Sequence, residues 1–75
     1  MFELTEEIRN TCIRTGERTR QARKNGDEST ARFQREWFAR YRDFESSRYS
    51  GGDKTKRSEV FNAMETLFSE GYTNS

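Results

Sequence analysis

Two clusters of cationic side chains are the residues of this chain best placed to act on a ligand. The first runs through Arg14, Arg18, Arg20, Arg23 and Lys24, with Glu17 as the nearby acid; the second is Lys54, Lys56 and Arg57. Guanidinium groups pair bidentately with phosphate or carboxylate and stack on planar rings, so both clusters are candidate partner- or anion-binding sites. Within the first, Arg20, Arg23 and Lys24 also have a local explanation, because cations in the last turn of a helix offset the negative end of its dipole. Arg14 and Arg18 lack that explanation: their four-residue spacing puts them on one outward ridge. Cations in a first turn are unfavourable. Lys54, Lys56 and Arg57 therefore imply a helix that begins late, with Ser58 as its cap, or an anion held at a helix start. The late start is the simpler expectation.

Catalytic chemistry has little to work with. There is no histidine, which removes the commonest general base and metal ligand. Cys12 is the single cysteine, so neither an intrachain disulfide nor a Cys/His zinc site can form, and a lone cysteine is better explained as a small core residue. The acid pairs Glu6/Glu7 and Asp27/Glu28 fall where helices should start and suit the positive end of a helix dipole. Gly51-Gly52-Asp53-Lys54-Thr55 has part of a phosphate loop, but Asp53 occupies the required glycine position and no strand precedes it. The expectation is a protein that is not an enzyme and uses no cofactor and no metal.

The elements that carry these residues follow from composition and spacing. Seventy-five residues make one domain at most. Hydrophobic residues are 29% and Leu, Ile and Val are scarce, but the net charge is only +1 and aromatics reach 13%, so a thin, ring-rich core is expected rather than disorder. Six of the ten aromatic residues lie between Ser29 and Tyr49. Phe33, Trp37, Tyr41 and Phe44 step by four, four and three, one face of a helix, and are expected to point into the core.

The spacing predicts an all-α, three-helix arrangement: an antiparallel hairpin of helices at about 5–24 and 28–49, then a shorter amphipathic helix at about 56–70. Thr5 is the expected cap of the first helix, whose stripe is Leu4, Ile8, Thr11, Thr15, Thr19 and Ala22, with Cys12 at its edge. Asn25-Gly26 should close that helix, and Asp27 or Ser29 should cap the next. Glu28, Arg32, Glu36, Arg40 and Asp43 read as a solvated face that neutralises itself. The third helix presents Val60, Phe61, Met64, Leu67 and Phe68, and Gly71 is expected to end it.

Function is less legible. No apolar run exceeds three residues, so no membrane span is expected, and the N-terminus lacks the pattern of a signal peptide. The single cysteine fits a reducing compartment, so a cytoplasmic location is expected. An Arg- and aromatic-rich helical surface with no catalytic groups favours a protein-binding module: a regulator, inhibitor, adaptor or assembly factor. The alternative is nucleic-acid binding through the first helix and the 54–57 cluster, against which stands the near-balance of 14 bases and 13 acids. Phe2 and Ile13 project from the opposite side of the first helix and are a candidate apolar interface, including one with a second copy in a homodimer.

Overall fold

The computed structural model describes residues 4–75, and three helices account for nearly all of them. Helix α1 spans Glu6–Lys24; the Thr5 hydroxyl caps it by accepting from the Ile8 N–H at 3.2 Å. At its end the Gly26 N–H bonds to the Arg23 carbonyl and the Asp27 N–H to the Ala22 carbonyl, while Gly26 takes φ +76°. This paired closure needs a left-handed residue after the cap, which glycine supplies without steric cost. Asp27 at once caps helix α2, Glu28–Ser50, accepting from both the backbone N–H and the hydroxyl of Thr30. Those two bonds hold its carboxyl below the usual carboxylate range. One residue thus ends one helix and begins the next, so α2 runs back along α1.

Helix α3 spans Lys54–Asn74 and differs from expectation at both ends. Asp53 caps it, accepting from Thr55 and Lys56 N–H, so the helix does not wait for Ser58. The Asp53 carboxylate supplies the negative charge that a first turn holding Lys54, Lys56 and Arg57 otherwise lacks. At 21 residues α3 is longer than the 19 of α1, not the shorter helix the spacing predicts.

Gly71 does not terminate α3; it lies inside the helix, buried. A Cβ there would run into the Ile13 carbonyl of α1, and one at Gly16 would run into the Phe68 carbonyl of α3. A glycine inside a helix costs about 1 kcal/mol relative to alanine; here two of them let the α1 and α3 backbones come together more closely than any side chain would allow. The C-terminal ends of α1 and α3 lie side by side, tied by Arg23 to the Tyr72 hydroxyl at 2.7 Å and Lys24 to the Ser75 carbonyl at 2.8 Å. The three helices therefore run up, down, up.

The core is small and mixed. Leu4, Ile8 and Cys12 meet Phe38 of α2 and Val60, Met64, Leu67 and Phe68 of α3. Cys12 sits at its centre, fully buried, rather than at the edge of the stripe. Thr15 and Thr19 are buried too, and their hydroxyls donate to the Thr11 and Thr15 carbonyls one turn back, so no orphan polar group results. Arginines lid the α2–α3 seam. Glu65 accepts from Arg35 and from Arg42, and the two guanidiniums lie over Phe68 at 4.8 Å and Phe61 at 4.1 Å.

Candidate docking face

The rings of α2 do not all point inward. Phe38 is completely buried, against Phe68 with centroids 4.6 Å apart, whereas Phe33 is 58% exposed, Phe44 65% and Trp37 38%. This corrects the expectation that the Phe33–Trp37–Tyr41–Phe44 stripe forms the core. At 3.6 residues per turn, Phe38 and Ala31 lie roughly 120–140° round the helix from the centre of the Phe33, Trp37 and Phe44 sector. The physical reason lies in the α1–α3 seam. With Gly16 and Gly71 drawing those helices together, α2 turns inward the side that carries Phe38 and the half-buried Tyr49, flanked by the small buried residues Ala31 and Ser46.

What remains outside is an organised surface. The Trp37 and Tyr41 rings stack at 5.1 Å with 10° between their planes. Tyr41 is half-buried against the core, and burial pushes its phenol up, so it acts as a fixed backing for Trp37. Between α1 and α2 a hollow of about 320 Å³ is lined by Thr11, Arg14, Thr15 and Arg18 on one wall and Phe33, Gln34 and Trp37 on the other. The outward ridge of α1 and the aromatic sector of α2 therefore face the same space. Arg40, four residues before Phe44, borders the rings on their far side.

The other sequence-predicted residues go elsewhere. Arg20 and Arg23 clasp Tyr72, with guanidinium carbons 5.3 and 5.5 Å from its ring centroid. The hydrogen bond from Arg23, then that from Arg20, draws the Tyr72 phenol below its ordinary value. These two arginines hold the end of α3 in place and are committed within the fold. Lys54 and Arg57 line a different open hollow of about 570 Å³ with Ser58, Phe61 and Asn62, while Lys56 is exposed beside the Asp53 cap. The two cationic clusters are thus not brought to one surface. Ile13 does not project freely: it is half-buried, packed on the core, with its carbonyl against Gly71. Phe2, its expected companion, lies outside the described residues.

Burial, then the charge of Glu65, pushes the Cys12 thiol up to about 12, so it stays protonated and inert in the folded protein. Among the described residues, no three Cys, Asp or Glu side chains lie close enough together to hold a metal ion, and no helix is long and apolar enough to cross a membrane.

The residues that sequence reasoning misplaced are Phe33, Trp37 and Phe44. A signal existed: the small residues Ala31 and Ser46 lie toward the side of α2 that carries Phe38 and Tyr49, and a stripe mixing small residues with rings suits a tight groove better than a stripe of four rings. No family model, curated protein or solved structure matches this chain, so its function has to be argued from its own surface.

Proposed function

We propose that this chain is a non-enzymatic helical binding module that engages another protein through the Phe33–Trp37–Phe44 face of α2 and the bordering Arg14 and Arg18 of α1. The carrying observation is the exposure of three large aromatic side chains on the side of α2 turned away from the core. A thin-cored domain has strong reason to bury such rings, because fully covering a large apolar side chain contributes roughly 1.5–3 kcal/mol. Contiguous exposed apolar patches on small proteins mark interaction surfaces, and Trp, Tyr and Arg are the residues that dominate interface energetics. The backing of Trp37 by Tyr41 lowers the entropic cost of binding, since the anchor is already ordered.

A nucleic acid is the competing occupant of the same face, because exposed rings beside arginine also suit a single strand. The distribution of acids favours protein. Glu36 and Asp43 lie on the neighbouring side of α2 and Glu7 and Glu17 on α1, so a continuous run of phosphates along the face would meet carboxylates.

The test is affinity capture from lysate of the native source, with and without nuclease, using wild type and a Phe33→Ser/Phe44→Ser variant. The expected result is a protein partner that survives nuclease and is lost by the variant. Capture that vanishes with nuclease assigns the face to nucleic acid, and capture unaffected by the variant removes this face as the interface.

A further inference from the structure

Resting on that docking reading, we infer that the protein engaged is a second copy of this chain, laid antiparallel so that the two α2 aromatic faces meet about a twofold axis. The charges around the rings select this occupant. Glu7, Arg14 and Arg18 share one ridge of α1, and Glu36 and Arg40 border the rings on α2; none of the five has an ion-pair partner among the described residues. Asp43, the next acid along that border, is held by Arg42. With both signs present, an occupant of a single charge gains nothing. The two signs are sorted, however: each row carries its acid toward one end and its base toward the other. A face built that way is complementary to itself turned end for end.

The spacings agree on where the axis falls. Phe33 and Phe44 are eleven residues apart on α2, roughly 16 Å at 1.5 Å per residue, and Glu7 and Arg18 are the same number apart on α1. Arg18 stands beside Phe33, both lining the hollow between the helices. Because α1 and α2 run antiparallel, Glu7 then lies level with Phe44. Reversal about a point midway between Phe33 and Phe44 lays Phe33 on Phe44 of the other copy and sets Arg18 against its Glu7. The same point falls between Glu36 and Arg40, so these also meet across the seam, and Arg40 comes over Trp37 of the other copy. Arg14 lies near the axis, about one turn from that Glu7. Glu17, roughly 80° round α1 from the ridge and on the side away from α2, stays outside the seam.

The face is three turns long and two helices wide, which places it at the low end of what a stable interface buries, about 1,200 Å² in total. The dimer is therefore weak, and dilute solutions hold the single protomer.

Sedimentation equilibrium over a range of concentrations tests the inference. The proteins compared are wild type, Phe33→Ser/Phe44→Ser, Glu7→Arg, Arg18→Glu and Glu7→Arg/Arg18→Glu, each confirmed as folded by circular dichroism. Wild type is expected to dimerise and the Phe33→Ser/Phe44→Ser variant to stay monomeric. Each single charge variant should dimerise about tenfold more weakly, because it sets like charges across both ends of the seam. The double exchange should restore the wild-type affinity, and an equal mixture of the two single variants should form the mixed dimer in preference to either homodimer. A dimer lost with Phe33→Ser/Phe44→Ser but indifferent to the charge exchanges would overturn the antiparallel register. A dimer that survives Phe33→Ser/Phe44→Ser would place the contact elsewhere and overturn the inference. Wild type monomeric at every concentration would overturn the second copy alone, leaving the docking face to be decided by the lysate capture.

Discussion

Helix α2 has two aromatic faces, and they differ in kind. One carries Phe38, fully enclosed by residues of α1 and α3, with Tyr49 half-buried on the same side. The other carries Phe33, Trp37 and Phe44, largely open, with Tyr41 at the boundary. By hydropathy the second face is the stronger candidate for the core. It is excluded because the room available to α2 is set by two other helices, and those are clamped together at Gly16 and Gly71. Apolar character alone does not decide which side of a helix goes inward; the shape of the space between its neighbours does.

The contrast breaks most completely at the seam that creates it. Gly71→Val places a branched side chain against the Ile13 backbone, which cannot retreat without separating α1 from α3. Loss of the cooperative thermal transition is expected, and a melting curve like that of wild type would mean the crossing does not limit the core. Phe38→Ala comes next, at about 3–5 kcal/mol, a large share of the stability of a domain this small. Chemical denaturation measures it, and a cost below about 1 kcal/mol would move Phe38 out of the core.

Cys12 probes the same enclosed side through pH. Its folded pKa is raised from 9.0 to about 12, so the contribution of the buried thiol is complete below pH 9 and is lost between there and about pH 12 as the unfolded chain ionises first. Stability measured from pH 8 to 10.5 should fall more steeply in wild type than in Cys12→Ala; equal slopes would mean the thiol is not shielded. On the open side, Trp37→Ala removes a ring stack and should cost about 0.5–1.5 kcal/mol. Phe33→Ser with Phe44→Ser should change stability by no more than about 0.5 kcal/mol for each substitution. If either open-side variant unfolds the protein, the two faces are not distinct.

The helices themselves were legible in the sequence because their boundaries are set by local chemistry. Thr5, Asp27 and the Asn25-Gly26 pair act on residues within one turn, and each does in the fold what its type implies. The extent of α3 was not legible, because Gly71 serves a contact with Ile13, 58 positions earlier by their numbers, and isolated glycine reads the same as a stop signal. Arg20 and Arg23 have a local explanation in the sequence as last-turn cations, but their clasp on Tyr72 was not legible, because that ring comes from the far end of the chain. Of the candidate site, the arginine ridge was legible from four-residue spacing. Its aromatic wall was not, since rings at helical intervals carry the same periodicity whether they face inward or outward.

The chain contains one tryptophan, and it stands at the edge of the groove on its tyrosine backing rather than in the interior. Its indole is therefore an optical reporter already installed at the place of interest. Enclosure by a bound protein would move the emission toward the blue and shield it from aqueous quenchers, so occupancy of this face can be followed by intrinsic fluorescence with no added label.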